Sequence, residues 1–208
     1  MIELLTANTP NGKKISIMLE EIKFDYKVTK INISKDEQFK PEFKKISPFG
    51  KIPVIIDHDK KISLFESGAI LIYLGEKSGK FYEKNQRTVI NQWLMGQMAY
   101  VGPMLGQHHQ FHHYNPGKSE FGENRYFKIS ERIYKELDER LSQSKFLAGK
   151  DYTIADIATF PWIARHEWHD IGLKRFKHLT KWYKEISKRE AVQIGFDLLN
   201  KGEEIPEV

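Results

Sequence analysis

Cysteine is missing from all 208 residues of the chain. That absence excludes disulfide scaffolds, thiolate zinc sites, thiol nucleophiles and Cys-x-x-Cys redox centres, so any sulfur chemistry must use sulfur from elsewhere. Long apolar runs are missing as well. No stretch approaches the roughly 20 apolar residues needed to span a bilayer, so no membrane partner is expected. The start, MIELLTANTPNGKK, has no basic region leading into an apolar stretch, which makes the cytoplasm the default expectation. Concentrated charge is a third absence. The net charge is +5, but the basic residues are scattered through Lys13/Lys14, Lys44/Lys45, Lys60/Lys61 and residues 181–189, commonly with acidic neighbours. This dispersal argues against nucleic acid as a partner.

What is present can build a core. Hydrophobic residues make up 40% and charged residues 29%, and the length suits a small domain joined to a medium one. Residues 2–6 form an apolar run closed by the turn cluster Asn8-Thr9-Pro10-Asn11-Gly12, a strand followed by a loop. Over residues 13–23, Ile15, Met18, Leu19 and Ile22 recur at helical spacing. Residues 26–33 alternate apolar and polar, which predicts a second strand, parallel to the first in a βαβ unit. Residues 38–46 read as a loop with a short helix, stopped by Ser47-Pro48-Phe49-Gly50 before a strand at 54–56. Residues 61–64 follow as its antiparallel neighbour, and residues 66–77 return to helix with Gly79 as the stop. The first domain, residues 1–80, is thus predicted to be α/β, with βαβ-ββα order around a four-stranded mixed sheet. The second, residues 86–200, is predicted to be all-α, with breaks at Gly102-Pro103, Asn115-Pro116-Gly117, Gly149-Lys150-Asp151 and Gly172, and a fraying tail over 202–208.

Thr9-Pro10-Asn11 lies between the first strand and the first helix, where a hydroxyl, an amide and helix-start N–H groups can converge on one ligand atom. Sulfur suits that position, because a thiol of pKa about 8.5 is favoured as thiolate by donors and by a helix N-terminus. The same residues also read as a plain helix cap. Ile52-Pro53 stands just before a strand, either as a cis bond exposing backbone groups to a ligand or as a trans strand-entry proline. Glu66-Ser67-Gly68 begins a helix whose N-terminus can take a carboxylate while Glu66 takes an ammonium, a match for an α-amino-acid group; the alternative is that Ser67 only caps.

Two further motifs read differently. Thr153-Ile154-Ala155-Asp156 has the form of a capping box with Asp in place of Glu, flanked by Tyr152 and Ile157 as a hydrophobic staple, and belongs to folding rather than catalysis. His108, His109, His112 and His113 form i, i+4 pairs, the spacing of a two-histidine metal site. No Glu follows the first histidine and no third ligand is evident, so no metal is expected. The histidines are read instead as lining a polar, aromatic pocket with Phe111 and Tyr114, or as lying on the surface.

Taken in order, these pieces resemble the glutathione transferase fold: a thioredoxin-like domain followed by a helical one. More narrowly, Thr-Pro-Asn-Gly at 9–12, Gln38-Phe39, Ser47-Pro48, Lys51-Ile52-Pro53, residues 64–70 and Gly102-Pro103-Met104-Leu105-Gly106-Gln107 resemble the Nu-class bacterial members, which are similar to the fungal nitrogen-regulatory, prion-forming relative. The resemblance implies a homodimer with glutathione as co-substrate, binding glutathione disulfide or two glutathiones and reducing small disulfides. Carried onto this chain, it implies that Thr9 and Asn11 address the sulfur, Gln38 and Lys51 the glycyl end, Ile52 with Pro53 the cysteinyl backbone, and Glu66 and Ser67 the γ-glutamyl group. Arg132 falls where that pattern has an arginine that holds a second glutathione's carboxylate; a surface helix arginine is the other reading. The function expected is a glutathione-dependent disulfide reductase. The alternatives are a conventional transferase conjugating glutathione to electrophiles and a non-catalytic glutathione-binding regulator.

Overall fold

The computed structural model describes the whole chain, Met1–Val208. In chain order the elements are β1 (Ile2–Thr6), α1 (Pro10–Ile22), β2 (Tyr26–Lys30), α2 (Pro41–Lys44), β3 (Val54–Asp57), β4 (Ile62–Phe65) and α3 (Ser67–Ser78). They continue with α4 (Arg87–Gly96), α5 (Gly102–His108), α6 (Glu120–Gln143), α7 (Ile154–Ile163), α8 (His166–His169), α9 (Lys177–Ser187) and α10 (Glu190–Asp197). The chain divides into two units, Met1–Lys80 with Arg189–Glu204, and Phe81–Lys188 with Ile205–Val208.

The first unit is built on a four-stranded sheet in the order β2-β1-β3-β4. β1 pairs parallel with β2 and antiparallel with β3, and β3 pairs antiparallel with β4, so the sheet is mixed as expected. Leu5, Phe43 and Val54 form a buried cluster against which Ile31, Ile46, Ile52, Ile56 and Phe65 pack. β2 is shorter than its alternating pattern predicts. The Asn32 amide donates to the Glu37 carboxylate (2.8 Å) and the Asn32 carbonyl accepts from Lys35 and Glu37, so the backbone that would extend the ladder is turned into 3₁₀ structure over Ile33–Lys35. α1 begins earlier than its apolar spacing predicts, because Thr9 caps it and Pro10 occupies its first turn.

α10 packs on α1 within this unit. The fit depends on Gly195, where an added Cβ would stand 2.6 Å from the Ile17 Cα. Ser16 Oγ donates to the Gly195 carbonyl (2.5 Å), and Arg189 makes a two-pronged pair with Glu21 at 2.6 and 2.8 Å. Lys13, fully buried, donates to the Phe196 carbonyl (2.7 Å) and pairs with Glu203 (3.0 Å). The expected frayed tail is therefore tied down at Glu203, and again in the second unit, where the Tyr183 hydroxyl donates to the Pro206 carbonyl (2.8 Å).

The second unit is helical around a core that includes Leu94, Ile133, Tyr134, Leu137, Phe160, Leu179 and Trp182. The break expected at Gly102-Pro103 is absent. Residues 87–114 continue helically, passing through π turns at Gln97–Val101 and His109–Tyr114. The wider π turn meets α5 at the point where Pro103 has no N–H to give. Gly102 lets α7 approach, since a Cβ there would lie 3.3 Å from the Trp162 ring. The capping box at α7 is present and reaches further than its own helix. Asp156 accepts from the Thr153 amide and hydroxyl (3.0 and 3.1 Å), the Leu147 amide (2.9 Å) and the Trp182 indole (2.9 Å). The Thr153 hydroxyl oxygen takes the Ala155 amide at 3.3 Å. Complete burial outweighs these four donors and pushes the Asp156 carboxyl up to about 6.

Candidate active site

Register brings three segments to one end of the sheet. Leu5 pairs with Val54, so β1 ends beside the start of β3; Val54 pairs with Phe65, so β4 ends beside the same residue. The chain leaving β1 carries Thr9 and Asn11, the chain entering β3 carries Ile52 and Pro53, and the chain leaving β4 carries Glu66 and Ser67. Residues more than 50 positions apart in sequence thus share one rim.

At the β1–α1 turn, Thr9 is the N-cap of α1, and its hydroxyl oxygen accepts from the Gly12 amide at 3.1 Å. Gly12 is required by space, because a Cβ there would lie 2.3 Å from the Ala7 carbonyl oxygen. Asn8 on the same turn donates to Glu203 at 2.6 Å, and Glu203 also holds Lys13, so one carboxylate grips the turn on both sides of Thr9 and Asn11. A hydroxyl and the positive end of a helix therefore meet at a half-buried position, where they favour an anion such as a thiolate.

The Ile52–Pro53 bond is cis. Ile52 lies outside the ladder, which begins at Val54. The preceding turn is stapled by Ser47, whose hydroxyl accepts from the Lys51 amide (3.1 Å) and donates to the Lys51 carbonyl (2.8 Å). Gly50, at φ +59, lets the Gln38 turn come close: an added Cβ would stand 2.9 Å from the Gln38 carbonyl oxygen. Lys51, which follows Gly50, is exposed. The Gln38 amide nitrogen donates to the Ile33 carbonyl (3.4 Å), while its amide oxygen is buried without a partner.

Glu66 precedes α3 at φ 70 and ψ 113, a conformation uncommon for a residue with a side chain. Its carbonyl still accepts from Ile70, but its side chain does not cap the helix. Ser67 is the first helical residue and not the cap, which removes the capping alternative for its hydroxyl. The first-turn amides of α3 receive no side-chain cap, an arrangement suited to an incoming carboxylate. Beneath Ser67 lies Lys14, 1% exposed, whose Nζ donates to the Ser67 hydroxyl at 3.3 Å. Burial pushes the Lys14 amine's pKa well down, and the Glu66 carboxylate pulls it back up. The sequence reading missed Lys14, although a signal existed: it falls one turn before Met18 on the apolar stripe, where a surface lysine does not belong.

Arg132 lies exposed on α6, in the second unit. The histidine run is not a surface feature throughout, for His108 and His109 are buried. His109 Nε2 meets His169 Nε2 at 2.7 Å, and His169 Nδ1 meets the Tyr134 hydroxyl at 2.7 Å. His108 Nε2 faces the His169 carbonyl at 2.9 Å and must donate there. No three His, Asp or Glu side chains are grouped to hold a metal ion, and no helix is long and apolar enough to cross a membrane.

Comparison with known proteins places these features in a family. The family described as glutathione S-transferase, N-terminal domain, matches residues 2–76, and its C-terminal domain counterpart matches residues 109–190. The disulfide-bond oxidoreductase YfcG of Escherichia coli (strain K12) is 43% identical over 198 residues, 92% of each chain. A glutathione transferase from Pseudomonas putida, solved with one glutathione disulfide bound per subunit, superposes with a TM-score of 0.88 at 39% identity, covering 97% of this chain and 92% of that one. A family member from Pseudomonas fluorescens pf-5, solved with two glutathione bound, gives 0.88 at 38% identity over 94% and 92%.

Proposed function

Because this chain belongs to the glutathione S-transferase family, we propose that it is a glutathione-dependent disulfide reductase working with borrowed thiols. The observation that carries the reading is the Thr9–Asn11 turn: a hydroxyl and an amide at the N-terminus of α1, in a chain with no cysteine of its own to oxidise. The likeness to a disulfide-bond oxidoreductase over 92% of each chain, and to structures holding glutathione or its disulfide, supports it.

In this reading Thr9 and Asn11 stabilise the glutathione sulfur as thiolate, Ile52 and Pro53 meet the cysteinyl backbone as a strand edge meets a peptide, Gln38 and Lys51 face the glycyl carboxylate, and Glu66 and Ser67 take the γ-glutamyl group. The thiolate attacks one sulfur of the substrate disulfide, forming a glutathione mixed disulfide and expelling the other half as a thiolate. A second glutathione thiolate, for which Arg132 is the candidate carboxylate anchor, attacks the glutathione sulfur of that mixed disulfide. Glutathione disulfide leaves, and the protons of the two glutathiones end on the two product thiols. The protein's contribution is alignment of sulfurs and stabilisation of charge, with no covalent enzyme intermediate. The reading includes a homodimer.

The test is turnover of bis(2-hydroxyethyl) disulfide by the purified protein with reduced glutathione. The expected result is glutathione-dependent release of thiol with glutathione disulfide as product. Conjugation of 1-chloro-2,4-dinitrobenzene with the disulfide left untouched would assign a conventional transferase instead. Binding of glutathione disulfide without any turnover would assign a regulator.

A further inference from the structure

We propose that Lys14 is a positioning residue for the amino-acid end of the ligand: its Nζ supports the Ser67 hydroxyl from beneath, on the carboxylate side of the zwitterionic γ-glutamyl group, while Glu66 faces the ammonium side. The proposal rests on the glutathione-dependent reading above and extends it to a residue behind the rim.

The neighbours of Lys14 on α1 define what is unusual about it. Ile15, Ile17, Met18 and Leu19 are all fully buried, and a methionine at position 14 would fill similar volume without desolvating an amine. Lys13, also buried, points its amine at the Phe196 carbonyl and Glu203 and so secures α10. Lys14 points at the start of α3 instead, 3.3 Å from Ser67 Oγ, and feels the Glu66 charge. The two adjacent lysines therefore do different work, and only the second is aimed at the rim.

An α-amino-acid group carries its ammonium and its carboxylate on one carbon. Glu66, exposed and held at positive φ, is placed for the ammonium. The first turn of α3 and the Ser67 hydroxyl are placed for the carboxylate. A hydroxyl that accepts a bond from an amine is polarised into a better donor, so the Lys14 contact strengthens what Ser67 offers to that carboxylate. The amine also lies in a low-dielectric setting, where its attraction for a carboxylate on the far side of Ser67 is weakly screened. An anion arriving there favours the ammonium form of a group whose pKa burial has depressed.

The test compares glutathione with its analogue lacking the γ-glutamyl α-carboxylate, 4-aminobutyryl-cysteinylglycine, by calorimetric titration of the wild type and Lys14→Met. Loss of one hydrogen bond to a charged group corresponds to roughly 10- to 100-fold in affinity. The expected result is that Lys14→Met weakens glutathione by about that factor while changing the analogue by less than about threefold. Ser67→Ala should reproduce the selectivity, and Lys14→Met should add little in the Ser67→Ala background, because both act on one contact. Equal weakening of both ligands, or of neither, would overturn the proposal and leave Lys14 a packing residue. If Lys14→Met does not fold, Lys14→Leu, which likewise removes the donor, supplies the same comparison. A wild-type protein that binds neither ligand would instead overturn the functional reading itself.

Discussion

At Thr9 a single hydroxyl links stability to chemistry. Its oxygen accepts from the Gly12 amide, and a hydroxyl that accepts one bond keeps its proton to donate. Thr9→Val should therefore lower stability by about 1 kcal/mol in chemical denaturation, the usual value of a helix cap. It should also slow glutathione-dependent disulfide turnover by on the order of 10²-fold, the size of losing one aimed donor, while Thr9→Ser keeps most of both. Three residues on, Gly12→Ala should destabilise by about 1–3 kcal/mol, since the new methyl meets the Ala7 carbonyl, a backbone atom that cannot step aside. The turn that holds Thr9 and Asn11 and the helix start that holds Glu66 and Ser67 are legible in the sequence, because turn and cap chemistry shows within a few residues. Lys14 was less so, because what it serves is set by α3, more than fifty residues away.

Among the elements, α7 and α10 show how a local signal understates its reach. The capping box of α7 is written in residues 153–156, but Leu147 and Trp182 also donate to Asp156. Asp156→Ala leaves several buried donors unpaired and should cost about 3 kcal/mol or more in equilibrium unfolding, well beyond an ordinary cap. For α10 the informative change is Gly195→Ala. It pushes a methyl to 2.6 Å from the Ile17 Cα and should lower the unfolding midpoint by loosening α10 from α1. Nothing in residues 190–197 announces this partner, since a glycine within a helix looks only like a weak helix former until the opposing backbone is known. The helical path through Pro103 departs from the sequence expectation for a related reason: proline usually ends a helix, and only the π turn before it shows how the chain continues.

For the whole molecule, pH acts through histidines that burial keeps neutral. His108, His109 and His169 all have depressed pKa values, His109 down to about 3, with desolvation as the leading cause. Unfolded, each would titrate near 6.5. Their contribution to stability is therefore complete above about pH 6.5 and is lost as pH falls toward the folded values, because the unfolded chain takes up protons first. Asp156 works in the opposite sense, its raised pKa favouring the folded chain as pH falls from about 6 to its unfolded value. His166 is depressed by burial in the same way, and one carboxyl against four imidazoles leaves a net loss, so the thermal midpoint should fall between pH 7 and pH 4.5. A flat midpoint over that range would contradict the buried, neutral assignment of this cluster.

The sequence by itself determined the alternation of strands and helices in the first domain, the parallel pairing of β1 with β2 and the antiparallel pairing of β3 with β4, the helical nature of the second, and the motifs at Thr9, Ile52-Pro53 and Glu66-Ser67. These follow from spacing and turn chemistry within a few residues. Tertiary structure alone decided that 189–204 groups with the first unit, that Glu203 grips the turn carrying Thr9, and that Lys14 supports Ser67. The physical reason is the same in each case. A buried charge is tolerable only beside a specific partner, and when that partner lies far along the chain, periodicity carries no trace of it.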